Sequence, residues 1–293
     1  MSKREEYPIV LNKFIDNNAY EILEEYLRAC SNLPGPRGNL ELANAFADCL
    51  KAKQNIDDNL WKTLNKWTGI TAEDTPADSP KEYIPFCAVQ ALGAIYTFAD
   101  SEKKERIIEL IKSAANDSRW RVREAAAIGL QWIAESDFNQ IELIINRWID
   151  DSSLLERRAI IADLSHPPVL HEKRNVLFCL TITDRILEDL LNLPSETRKT
   201  EEFRVLKKGL EYAISVFVAN LPDKGFEFLE KWAQSNDSDI RKIIKSNLGK
   251  SRLTKKYSQQ VDGVLAVLTN QDSIRNSSRD AVCDYNLEVQ IQR

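Results

Sequence analysis

The chain has 293 residues, 43% hydrophobic and 29% charged, with 40 Lys and Arg against 45 Asp and Glu and a formal net charge of −5. That balance describes a folded chain of one or two domains with a sizeable core, and it argues against a protein basic over its whole surface, as many nucleic-acid binders are. No apolar run approaches the roughly 18 residues that cross a bilayer. The opening MSKREEYPIV also lacks the apolar block of a signal peptide, so a cytoplasmic location without a membrane partner is expected.

Residues 1–74 read as an N-terminal helical cap, interrupted by SNLPGPRGNL, Ser31 to Leu40. This stretch joins a helix ending near Cys30 to LELANAFADCLKA, with Asn39 where an N-cap belongs. Its glycines allow positive φ or close approach, its prolines stiffen the path, and Arg37 stands beside a helix N-terminus. Two readings of Arg37 stay open: pairing with a local carboxylate or the preceding helix's carbonyls, and binding an anion together with free amide donors. TAEDTPADSPKEY, Thr71 to Tyr83, is polar and proline-bearing and reads as a linker or long loop.

Beyond it the chain repeats. WRVREAAAIGL (Trp120 to Leu130) and SDIRKIIKSNL (Ser238 to Leu248) both set an aliphatic residue before an arginine, Val122-Arg123 and Ile240-Arg241, and both follow a polar turn, NDSR or NDSD. Weaker copies begin at Ile84, Glu156, Phe203 and Ile274, so successive starts lie 38, 34, 47, 37 and 34 residues apart, a helical-hairpin period. Between them lie helices such as KKERIIELIKSAA, FNQIELIINRWI and GFEFLEKWAQ, apolar at i, i+3, i+4 spacing. The array spans 80–280 and a tail occupies 281–293, where Val282, Tyr285, Leu287, Val289 and Ile291 suggest some packing.

These units resemble HEAT repeats, whose second helix typically opens with Asp, then Val-Arg, then small and aliphatic residues. Asp117, Val122, Arg123, Ala126 and Leu130 match; Glu156 replaces the aliphatic in the next unit and Pro85 the arginine in the first. The resemblance implies an all-α, right-handed α-solenoid of five to six hairpins whose second helices line a concave face, each hairpin hiding its apolar side against the next. At the repeat positions Arg123 and Arg241 are expected to bond an aspartate or backbone in the neighbouring turn, and Trp120, Trp132, Trp148 and Trp232 to pack in the core or between repeats.

RWIDDSSLLERRAII, Arg147 to Ile161, resembles the AlkD-like alkylpurine DNA glycosylases, HEAT-like proteins in which an aspartate and tryptophans surround an alkylated base. The resemblance implies Asp151 as the catalytic carboxylate, Trp148 and Trp120 as stacking surface, and Arg157 and Arg158 as backbone contacts. Here Trp148 stands three residues before Asp151 where the family pattern has four, and Leu154 replaces an aromatic. Asp151 or Asp150 also reads as an ordinary N-cap for the helix that follows.

Arg241 to Lys256 carries seven basic residues and no acidic one, and Lys250, Arg252, Lys255 and Lys256 are its candidate binding residues. No metal is expected, because His166 and His171 are five apart across two prolines and the cysteines, Cys30, Cys49, Cys87, Cys179 and Cys283, form no Cys-x-x-Cys pair. No cofactor is expected either, since the glycines form no phosphate-binding loop. The function these features predict is a non-enzymatic HEAT-repeat scaffold holding an acidic protein or nucleic acid; the alternative is a DNA glycosylase or damage-binding relative.

Overall fold

The structure, a computed structural model, describes residues 3–270, and among them all regular secondary structure is helical. The unit beginning at Ile274, the tail 281–293 and Cys283 lie outside the described residues. The four described cysteines are free, three of them buried. No described helix is long and apolar enough to cross a membrane.

The chain forms two compact units, Met1–Val169 and Leu170–Arg293. The first contains α1 (Lys3–Asp16), α2 (Tyr20–Ala29), α3 (Leu40–Lys53), α4 (Asp58–Thr68), α5 (Tyr83–Ile95), α6 (Ser101–Ala115), α7 (Trp120–Ser136), α8 (Phe138–Trp148) and α9 (Leu154–Leu164). The second contains α10 (Lys173–Leu191), α11 (Glu201–Asn220), α12 (Pro222–Ala233), α13 (Ser238–Leu248), α14 (Ser251–Thr254) and α15 over residues 258–270. The division between the two units falls within residues 80–280, and the helices of residues 1–74 belong to the first unit.

The first unit is organised around α5. Its sequence YIPFCAVQALGAI is apolar on every side, as befits a helix with no solvent face, and all its residues are buried. Helices α3 and α7 both pack against it, α1 packs on α3 and α9 on α7, while α4 and α6 contact α5 and α8 contacts α7. Alternate helices thus run in a row with their hairpin partners beside them. In the second unit α11 pairs with α13 in the same next-but-one manner, and α12 packs on both.

The α5/α7 contact depends on two glycines. A Cβ on Gly93 would stand 2.1 Å from the carbonyl oxygen of Gly129 and 2.7 Å from its Cα, so only hydrogen fits there. Gly225 does the same in the second unit, where a Cβ would stand 2.5 Å from the Cα of Val218.

The segment read as a linker is strapped down. Arg119, 3% exposed, places all five N–H donors: Nε and Nη2 grip the Asp117 carboxylate at 2.9 and 2.7 Å, and the others reach the carbonyls of Ile70, Thr71 and Thr75 at 2.8 to 3.3 Å. Arg121, equally buried, pairs with Asp78 at 2.7 Å and with the fully buried Glu82 at 3.2 Å, and donates to the carbonyl of Gly35. One turn of α7 therefore ties two loops far apart in sequence.

Asn39 caps α3 as its position predicts, accepting from the Leu42 amide while its Nδ2 donates to Tyr7 Oη and the Cys30 carbonyl. Arg37 does not hold the loop: it is exposed and bonds to no described residue, so the local pairing expected of it is made instead by Arg121.

Gly93→Ala, which at an exposed helical site would gain about 1 kcal/mol of helix propensity, is expected to lose about 1–3 kcal/mol through overpacking, read by urea unfolding. A second prediction concerns Asp163 on α9, which is fully buried with neither carboxylate oxygen hydrogen-bonded. Burial holds its carboxyl well above the ordinary range. The unfolded chain ionises it above about pH 4 whereas the folded chain keeps it neutral, so its stabilising contribution is full at low pH and is lost as pH rises towards the folded value. The melting temperature of Asp163→Asn should rise relative to wild type as pH increases above about 4; a pH-independent difference in circular-dichroism melts would contradict this.

Candidate functional site

Around Asp151 the structure does not assemble the constellation that the glycosylase resemblance implies. Asp151 is an exposed turn residue that bonds to no described residue. Ser153, not Asp150 or Asp151, caps α9, in a reciprocal capping box with Glu156. The S-x-x-E signature was present in the sequence at Ser153 to Glu156 and marks this cap without the structure.

Trp148 is buried, and its Nε1 donates to Glu156 Oε2 at 2.7 Å. Asn116 and the Ser153 amide donate to the same carboxylate at 2.6 and 3.2 Å, and Lys112 stands 3.7 Å away. This explains a glutamate where the repeat has an aliphatic residue: three donors and a nearby ammonium offset the cost of burying its charge. The edge of Trp148 lines a cleft of about 160 Å³ with Tyr96, Lys112 and Arg147, and Asp151 is not among its lining residues.

The other residues of that constellation are engaged elsewhere. Arg157 is buried and donates from Nε to Ser152 Oγ at 3.1 Å, while Arg158 pairs with Glu124. Trp120 is 47% exposed rather than packed, with the Arg121 guanidinium 4.5 Å from its ring centroid. Trp232 is core, as expected, and donates to Asp184 at 2.8 Å.

The two repeat arginines behave alike and as expected. Arg123 donates to the carbonyls of Asp117 and Ser118 at 2.8 Å, and Arg241 to those of Ala233 and Ser235 at 3.4 Å and of Leu268 at 2.6 Å. Each clamps the turn before its own helix. Asp237 caps α13 as the NDSD turn predicts, whereas the α7 cap position, Arg119, makes no side-chain cap bond.

The second unit carries a different kind of surface. Tyr212 on α11 is 50% exposed, and the Arg252 guanidinium and Lys250 ammonium lie 4.4 and 5.8 Å from its ring centroid. Lys208, exposed, stands one helical turn before it. Lys242, Lys245, Lys250, Arg252, Lys255 and Lys256 pair with no described carboxylate. Arg241, Lys242 and Lys245 line a cleft of about 190 Å³ whose other wall is Leu265, Leu268 and Thr269 on α15.

The two carboxylates just before the run in the chain, Asp237 and Asp239, are committed to other cations. Arg198 takes Asp237 and Asp239 at 2.7 and 3.0 Å, and Lys207 takes Asp239 at 2.5 Å. Burial alone would raise the Asp239 carboxyl, but the bonds from Lys207 and Arg198 hold it below its ordinary value. Lys231 likewise holds Asp184 and Glu188. Sequence reading located the basic run; it missed Tyr212 and Lys208, whose i, i+4 spacing on one helix was the available signal.

The two carboxylates of the α8–α9 turn should separate in an unfolding experiment. Glu156→Ala strands the Trp148 and Asn116 donors and is expected to cost about 1–3 kcal/mol, whereas Asp151→Asn should change stability by less than about 0.5 kcal/mol, both read by urea titration.

No family model, no curated protein and no solved structure matches this chain.

Proposed function

We propose that the protein is a non-enzymatic scaffold of HEAT-like helical hairpins whose second unit holds an acidic partner, a protein segment or a nucleic-acid backbone. The observation that carries the reading is the group of unneutralised cations around half-exposed Tyr212, in a chain whose net charge is −5. Elsewhere in the same unit, the half-buried carboxylates Asp184, Asp237 and Asp239 are matched to cations at 2.5 to 3.0 Å. Cations left free beside an aromatic ring form a surface that attracts anions and gives them something planar to rest on.

Lys250 and Arg252 flank the ring and would make the first contacts, with Lys255 and Lys256 extending the surface. Arg37, exposed and unpaired in the first unit, is a further cation open to an anion. The solenoid reading draws support from the next-but-one packing of α3, α5, α7 and α9 and of α11 with α13; the right-handed superhelix itself is what the HEAT resemblance adds. No geometry around Asp151 favours the glycosylase reading.

Fluorescence anisotropy with labelled DNA, single- and double-stranded, and with a labelled polyglutamate peptide tests the proposal. At about 50 mM salt at least one probe should bind, and affinity should drop at least about tenfold at about 200 mM if several ion contacts form. Arg252→Ala and Lys255→Glu/Lys256→Glu should each weaken it. If neither class of probe binds at low salt, the proposal fails.

A further inference from the structure

We propose that the first unit carries a second site of opposite chemistry: the cleft between α3 and α7 receives an arginine side chain of a basic protein segment. The inference is independent of the anion surface on the second unit.

The cleft, about 320 Å³, falls within the roughly 300–1,000 Å³ of ligand-binding pockets. Helix α3 supplies Asn44 and Asp48, one turn apart. Helix α7 supplies Gln131, Trp132 and Glu135 from a single face, and His166 closes one side. Both helices pack against α5, so the two faces are held on a common, fully buried support.

What distinguishes this cleft is its surplus of acceptors. Asp48 accepts no hydrogen bond and forms no ion pair among the described residues, and Asn44 bonds to none. Gln131 has spent its Nε2 on the Ala162 carbonyl at 3.1 Å, which leaves its amide oxygen as an acceptor. Glu135 accepts from His166 Nε2 through one oxygen and keeps the other. A guanidinium brings five donors in a planar fork and no acceptor, the complement of such a set.

The aromatic ring completes the match. Lys51 already places its ammonium 5.2 Å from the Trp132 ring centroid, so the molecule itself seats a cation on that ring. Asp48 and Glu135 also feel each other across the cleft: partial desolvation raises the Asp48 carboxyl, Lys51 opposes it, and the Glu135 charge adds a smaller upward push. A cation entering between the two carboxylates relieves that repulsion. Leu40 and Ile128, at the cleft's margin, offer apolar surface to the methylene stem of an arginine. A metal is not the occupant this chemistry suggests, because no described group of three or more His, Cys, Asp or Glu could hold one.

The test uses the full chain and fluorescein-labelled tetra-arginine, tetra-lysine and tetra-glutamate peptides. Tetra-arginine is expected to bind at low salt and tetra-glutamate not to bind at this cleft. Asp48→Asn/Glu135→Gln should weaken tetra-arginine by at least about tenfold and Trp132→Leu by about threefold or more, with tetra-lysine weaker than tetra-arginine throughout. Glu21→Gln/Glu25→Gln on α2 removes the same net charge from exposed positions away from the cleft and should change affinity by less than about twofold. Asp48 and Glu135 are exposed, so the double variant folds and carries the test even if Trp132→Leu does not. Equal loss in the two double variants, or no tetra-arginine binding to wild type at about 1 mM peptide, would overturn the proposal. Neither result bears on the second unit's affinity for anions.

Discussion

Everything in the first unit depends on how closely α5 and α7 approach. At Gly93 the α5 backbone meets that of α7 at Gly129 with no room for a side chain, and that distance sets where the rest of α7 lies. Its N-terminus reaches the loops, so that Arg119 can strap residues 70–75 and Arg121 can hold Gly35, Asp78 and Glu82. Its last turns present Gln131, Trp132 and Glu135 beside α3. A wider crossing would loosen the straps and open the cleft together, because both are built on one rigid helix against one buried helix.

Several large buried donors in this protein share one habit, in which a carboxylate serves as the acceptor. Trp67 donates to Glu24, Trp148 to Glu156 and Trp232 to Asp184, at 3.0, 2.7 and 2.8 Å. Arg119 and Arg121 are treated similarly by Asp117 and by Asp78 with Glu82. Asp163 breaks the habit, with no donor on either oxygen, and burial raises its carboxyl well above the ordinary range. In the second unit the same habit consumes Asp237 and Asp239, just before the basic run in the chain. The cations left over are concentrated on α13, α14 and the residues that follow.

The two proposed sites therefore arise from one cause, the uneven use of charge. Where each charge finds a partner inside its unit the surface is electrically quiet. Around Tyr212 the leftover charge is positive, and between α3 and α7 the leftover capacity is for accepting hydrogen bonds. The exposed Asp151, which bonds to no described residue, belongs to neither proposed site.

The sequence by itself determined the helices, their hairpin period and several local clamps. The caps that Asn39 and Asp237 form and the turn contacts of Arg123 and Arg241 lie within a few residues of their own positions, so spacing alone identifies them, although Asn39 also reaches Tyr7 and Arg241 also reaches Leu268. The Ser153 and Glu156 cap was legible in the same way. Only the tertiary structure decided which arginine secures the opening loop, that the polar segment after Ile70 is a strap, that Trp148 is buried while Trp120 is exposed, and that the chain divides after Val169. The physical reason is that these outcomes turn on partners 30 to 90 residues away: Arg121 lies 86 positions from Gly35 and Arg119 lies 49 from Ile70. Periodicity reports which face of a helix is apolar, but which donor meets which acceptor is settled only when helices distant in the chain pack against each other.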